Sequence, residues 1–408
     1  MIEGWDLVTL GDVLDVLTNG VNCKQNKSGC GQKISRIESI ASASFDINRV
    51  GYAELTEQKK TKYRLQQGDI LFSHINSAIH VGKTAVFDLD EEVYHGVNLL
   101  KMRPKSNLVS AYLELYLKYI FEQGYWRNIC KQSVNQASVN QQDIKLVPIS
   151  FPRDQLEQKR IVSILDEAFA GISQAVANAE KNLANARELF ESYLNNVFTQ
   201  KGENWLEKKL VEVCSIKHGF AFKSQFFSTD GDYVVLTPGS FYENGGFRNQ
   251  GEKTKYYVGE IPDGYILNEG DFLFAMTEQA VGLLGSSLIV PQSNYFLHNQ
   301  RLGLVQVVDE MTWDNDFFHH QFNTKYFRNA VQSTASGLKV RHTSPTKLGD
   351  ISIFYPPKMS DQKKIASVLN KMMTQTQCLE TIYQQKLTAL SELKQSILQK
   401  AFTGELAA

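Results

Sequence analysis

Residues 154–199 read DQLEQKRIVSILDEAFAGISQAVANAEKNLANARELFESYLNNVFT, and their spacing decides the architecture. The stretch has no proline, and Gly171 is its only glycine, so nothing in it breaks a helix. Asp154 followed by Glu157 fits a capping box at its start. Apolar residues fall at Ile161, Leu165, Ala168, Ile172, Ala175, Ala179, Leu183, Ala186, Phe190, Tyr193 and Val197, a heptad seam with one stutter between Ala179 and Leu183. Adding 204 to each position reproduces it: Ile365, Leu369, Met372, Leu379, Tyr383, Leu387, Leu390, Ile397 and Ala401 are again apolar, and only Thr376 and Lys394 break the pattern. Two helices of ~40 residues, each ~60 Å long, are expected. Matched seams of that length point to packing on each other rather than only on a local core.

The seam belongs to a longer repeat. Trp5 with Leu10-Gly11-Asp12-Val13 answers Trp205 with Leu210-Val211-Glu212-Val213. Gly68-Asp69-Ile70-Leu71-Phe72 answers Gly270-Asp271-Phe272-Leu273-Phe274, and Tyr125-Trp126-Arg127-Asn128 answers Tyr326-Phe327-Arg328-Asn329. Gln158-Lys159-Arg160-Ile161 answers Gln362-Lys363-Lys364-Ile365. Offsets drift only from 200 (205 − 5) to 204 (362 − 158), so the chain is duplicated. Ahead of each helix, short β-like runs (69–73, 83–87, 99–102; then 234–237, 272–275, 287–290, 302–307) mix with turns, and one helix is legible from Ala111 to Gln123, stopped by Gly124. The link 199–205 is short, so the second helix reaches the first only by running back along it. The expected fold is α+β, with two pseudo-symmetric globular domains (1–152 and 202–356) separated by an antiparallel pair of long coiled-coil-like helices (153–201 and 357–408).

Composition and motif searches exclude several classes. At 42% hydrophobic and 21% charged the chain reads as globular, and no run approaches the ~20 apolar residues of a bilayer span. The start, Met1-Ile2-Glu3-Gly4-Trp5-Asp6, is not a signal peptide. The five cysteines, Cys23, Cys30, Cys130, Cys214 and Cys378, are scattered, which suits a reducing cytoplasm and argues against a zinc site. Val81-Gly82-Lys83-Thr84 lacks the earlier glycine of a phosphate-binding loop, since Ser77 stands there. Tyr355-Pro356-Pro357-Lys358 is not the Asn/Asp-Pro-Pro-aromatic block of an amino-methyltransferase, and Glu269-Gly270-Asp271 lacks the lysine of a nuclease core. His319-His320 has no metal-ligand spacing. No catalytic or metal site is expected.

In order and duplication these blocks resemble the specificity subunit of type I restriction–modification systems, over essentially the whole chain. The carrying stretches are Gly68–Ser77 with His80-Val81-Gly82-Lys83, Gly270–Gln279 with Leu284-Gly285 and His298-Asn299-Gln300-Arg301, and the helix heads with Glu157-Gln158-Lys159 and Asp361-Gln362-Lys363. The resemblance implies two target-recognition domains that each read half of a split double-stranded DNA sequence. It further implies two adenine-N6 methyltransferase subunits and two translocase–nuclease subunits as partners. S-adenosylmethionine, ATP and Mg2+ would sit on those partners, with no cofactor on this chain and no membrane association. A net charge of −1 is low for a protein gripping DNA by itself, so the partners would share the phosphate contacts. The alternative is a duplicated coiled-coil scaffold whose ends bind protein or sugar.

Base edges are read by side chains with paired donors and acceptors. In the first half the candidates are His74, Asn76, Ser77 and Lys83, with a second cluster Asn135, Gln136, Asn140 and Gln141. In the second half they are Thr277, Glu278, Gln279 and Arg301, with Lys339, Arg341 and His342. Lys24, Lys33, Arg36 and Lys223 are candidate phosphate contacts. Glu278 reads equally well as a structural carboxylate. The clusters stand at matching places in the two halves.

Overall fold

A computed structural model describes residues 3–26, 28–42, 44–133, 136–279 and 281–406. The chain divides into two compact units, residues 1–180 with 385–408, and residues 181–384. The first is built on a four-stranded antiparallel sheet in the order Leu14–Asn19, Leu100–Pro104, Asp69–Phe72, Thr84–Phe87. The second repeats it strand for strand as Cys214–His218, Leu302–Val307, Phe272–Ala275, Ser287–Ile289. Each unit is closed by a pairing absent from the sequence reading: Trp5–Thr9 with Pro148–Pro152, and Leu206–Lys209 with Ser352–Tyr355.

The repeated sequence blocks touch one another in space. Phe72 of the Gly-Asp block meets Trp126 edge to face at 4.8 Å, and Phe274 stacks on Phe327 at 5.9 Å. The aspartates close the turns before their strands: Asp69 accepts from the Gln66 N–H at 2.9 Å and Asp271 from the Asn268 N–H at 2.8 Å. Asp69 also pairs with Arg103 at 2.7 Å, whereas Asp271 is pushed up by burial. Gly82 has a φ of +96°, and a Cβ there would lie 2.1 Å from the Trp126 ring. Its place in Val81-Gly82-Lys83 therefore serves packing.

The long helices run from Gln155 to Gln200 and from Met359 to Phe402. Asp154 caps the first by accepting from the Leu156 N–H at 2.9 Å. Glu157 does not reach back, as a full capping box requires, because Arg160 holds it at 2.7 Å. One residue further on, Gln158 is fully buried, its Nε2 donating to the carbonyls of Pro152 (2.8 Å) and Asn107 (3.0 Å) and its Oε1 accepting from the Val109 N–H (2.7 Å). Gln362 makes the same three bonds, to Pro356 and Thr312 (both 2.9 Å) and from the Asp314 N–H (3.0 Å).

Every seam residue of the first helix is buried or half-buried. In the second, Leu379 departs from the expected pattern and is exposed at 42%. In the first unit Ile161 and Leu165 share a core with Leu398, Ala401 and Phe402. In the second, Leu194 and Phe198 share one with Ala366 and Leu369. Within each unit the head of one helix thus meets the tail of the other, the antiparallel arrangement that chain order requires, and Arg187 pairs with Glu380 at 3.2 Å. The helix ends also pack on their own globular cores, with Phe402 against Tyr112 at 5.4 Å and Phe198 against Phe317 at 5.2 Å. His319 and His320 are structural: the first meets the Ser287 hydroxyl at 2.9 Å, and the second meets Asn370 of the last helix at 2.6 Å.

Two outcomes follow from this packing. Gln158→Leu leaves three backbone groups, one buried and two partly buried, without their side-chain partner and destabilises the first unit by about 2–4 kcal/mol. Gln362→Leu does the same to the second, while Leu156→Ala, at an exposed position, changes stability by under about 0.5 kcal/mol. Hydrogen exchange of each unit's sheet amides reads these effects separately. The matched imidazoles His95 and His298 meet the carbonyls of Leu99 and Leu302 through Nε2, and burial holds them down to about 3 and about 4. Unfolded histidine takes up its proton near pH ~6.5, so stability present above that pH is lost as pH falls from there toward the folded values. A denaturation midpoint at pH 5 equal to that at pH 7 would contradict this.

Candidate nucleic-acid interface

In each unit a strand pairing at one edge joins the two polar clusters read from the sequence. In the first, Ile75–Asn76 pairs with Gln136–Ser138, setting Asn76 opposite Ala137, and the latter strand forms a hairpin with Lys131–Ser133. The Val139 N–H donates to the His74 carbonyl at 2.9 Å and tightens the junction. In the second, Thr277–Glu278 pairs with Arg341–His342, setting Thr277 opposite His342 and Glu278 opposite Arg341. Residues more than sixty positions apart thus form one surface, because the strand just past each Gly-Asp block lies beside the segment that precedes the last short helix of its unit.

In the first unit Ser77 and Gln136 are exposed, and Gln141 donates to Asn19 Oδ1 at 3.2 Å. Asn19 ends the first strand of the main sheet and was missed by the sequence reading, since nothing local marks it. Asn76 is partly committed to its own turn, its Oδ1 accepting from the Ser77 N–H at 2.8 Å. Asn140 caps the helix Gln141–Lys145 by accepting from the Asp143 N–H at 2.9 Å. His74 is buried, and that burial lowers its pKa, so it stays neutral and is not a surface cation. Lys83 donates to the Ala41 carbonyl at 3.2 Å. Asn135 lies outside the described residues.

In the second unit Glu278 does not face a ligand. Its side chain is 1% exposed, and its carboxylate accepts from the N–H groups of Gly282 (3.0 Å) and Leu284 (2.8 Å) and from Arg341 Nη1 (3.1 Å). Arg341 also donates to the Gln332 carbonyl at 3.1 Å. The pair therefore ties Gly282 and Leu284 to the strand Arg341–His342; Glu278 is not free for a base edge, and Arg341, still 30% exposed, commits two of its nitrogens inside the protein. Arg328, missed by the sequence reading, joins from below by donating to the Gly282 carbonyl, and burial lowers its pKa to about 10. Gln279, Arg301 and Lys339 are exposed around this knot, and His342 shares a hydrogen bond with Ser336 at 3.2 Å.

The candidate phosphate contacts divide. Lys24 and Lys223 are exposed, whereas Lys33 pairs with Glu91 and Arg36 with Glu38 at 3.2 Å. Among the described residues no cluster could hold a metal ion, and no helix is long and apolar enough to cross a membrane.

The profile described as "Type I restriction modification DNA specificity domain" matches residues 2–181 and again residues 202–388. A Methanocaldococcus jannaschii protein assigned as the specificity subunit of the type I restriction enzyme MjaX is 44% identical over 168 residues, which is 40% of this chain and 39% of that protein. The Escherichia coli EcoBI specificity subunit is 28% identical over 226 residues, 55% of this chain and 44% of that protein. The chain thus matches less than half the length of either relative. Among solved structures, the HsdS subunit from Thermoanaerobacter tengcongensis covers 100% of this chain and 98% of its own at a TM-score of 0.61 and 16% identity. A chain from a study of complex assembly and conformational transition in a type I R-M system covers 100% and 99% at a TM-score of 0.74, also 16% identical. At that identity the likeness is one of fold.

Proposed function

Since its profile matches both halves of the molecule, the chain belongs to the type I restriction–modification DNA specificity family, and we propose that it is the sequence-reading, non-catalytic subunit of such an enzyme. Each globular half reads one part of a bipartite duplex target. The long helices set the unread spacer and dock two methyltransferase subunits, and two translocase–nuclease subunits join for restriction. S-adenosylmethionine, ATP and Mg2+ act on those partners, in the cytoplasm.

The observation that carries this reading is a scaffold repeated strand for strand whose equivalent edges bear different polar side chains: Gln136 and Gln141 in one half, Gln279, Arg301 and Lys339 in the other. Amide and guanidinium groups pair with adenine and guanine edges in the major groove, so different residues on one scaffold give two different rules. Joining two modest readers makes the second binding event intramolecular and multiplies selectivity. A duplicated scaffold for protein or sugar gives no comparable reason for this pattern, and the family favours DNA.

The reconstituted complex with its methyltransferase partner tests the proposal on duplexes varied one base pair at a time. Gln279→Ala costs about 1–3 kcal/mol and relaxes the rule at one position of the second half-site, leaving the first untouched. Arg341→Ala, which frees the segment that Glu278 holds, weakens every position of the second half-site together. Equal losses on all sequences for Gln279→Ala, or adenine methylation in the host unchanged when the chain is deleted, would count against the reading.

A further inference from the structure

Leu338 stands fully in solvent at 104% relative exposure, on a turn built to hold it there. The flanking backbone is paired: Ser336 and His342 exchange N–H to carbonyl bonds of 3.0 and 2.9 Å. Gly337 turns the chain at a φ of +102°, and a Cβ there would lie 2.1 Å from the Val340 carbonyl oxygen, so only glycine closes this tip. Below it, Thr334 and Thr343 hydroxyls meet at 2.8 Å, Lys347 donates to the Thr334 carbonyl at 2.8 Å, and Arg341 is tied to buried Glu278. A slack loop would fold its leucine back onto the protein; this one is braced at both ends.

An exposed leucine beside an exposed cation, Lys339, suits a partner that is anionic outside and apolar within reach. A two-stranded ribbon is of a size that the major groove of DNA admits, and the apolar feature displayed there is the thymine C5-methyl. Gln279, on the loop hung from the same carboxylate, offers the hydrogen bonds that this groove also reads. We propose that Leu338 is an apolar base reader, packing on a thymine methyl in the major groove of the second half-site. The inference rests on the DNA-reading assignment above and names a specificity residue that polar-residue logic overlooks.

The test is a coupling experiment on the complex with its methyltransferase partner. Each thymine of the recognised target is replaced in turn by uracil, which removes only the methyl, and binding is measured for the native chain, Leu338→Ala and Leu338→Met. The native complex loses about three- to fivefold at one position of the second half-site, the worth of one buried methyl. Leu338→Ala binds the thymine duplex weaker by a similar factor and no longer distinguishes thymine from uracil, while Leu338→Met keeps the distinction. Full thymine discrimination by Leu338→Ala, or a second half-site without any A·T pair, would overturn the proposal. So would 2-aminopurine fluorescence showing base unstacking that depends on Leu338, which would make it a wedge. If the complex shows no sequence preference at all, the DNA-reading assignment itself fails; a sequence-selective native complex that binds thymine and uracil duplexes equally sinks only the role of Leu338.

Discussion

A buried glutamine amide at the head of each long helix is the constraint on which the rest depends. Gln158 and Gln362 each satisfy three main-chain groups drawn from two separate segments: a proline at or just past the end of the closing strand (Pro152, Pro356) and the loop that starts a helix of the globular core. In a dry site such bonds are costly to leave unmade, so the amide fixes where the helix leaves its domain and at what rotation. The heptad stripe turns with it. Only from that rotation do Ile161 and Leu165 meet Leu398 and Ala401, and do Ala366 and Leu369 meet Leu194 and Phe198.

Above this joint the two halves share a frame and differ at one edge. The sheet order, the Gly-Asp turn and the aromatic plug recur, while the glycine behind them meets Trp126 in one half (Gly82) and Val331 in the other (Gly285). The edge pairing also recurs in place but not in chemistry. In the first half it carries amides and hydroxyls, with Gln141 bonded to Asn19. In the second a buried carboxylate binds a guanidinium and two N–H groups, leaving a braced tip and exposed cations around it. A buried carboxylate stiffens the surface without being part of it, which explains why Glu278 stands beside the candidate readers yet faces away from solvent, while its partner Arg341 stays 30% exposed.

Much of this was legible from residue order. The seam and the repeat required long helices and a duplicated scaffold, because periodicity and self-similarity are local properties of a chain. The capping box was legible only in part, since Arg160 competes for Glu157 from three residues away. The closing strands were not legible: Trp5–Thr9 finds its partner about 140 residues later, and short paired strands leave little trace of their own.

The sequence alone therefore determined the duplication, the helix faces and which segments carry hydrogen-bonding side chains near each Gly-Asp block. The tertiary structure decided which of those side chains face outward. A glutamate is equally good as a base reader or as an anchor, and the choice was made by Arg341, 63 positions away, together with the N–H groups of Gly282 and Leu284. Desolvation tolerates a carboxylate only where such partners converge, and convergence is a property of the folded chain, not of residue order.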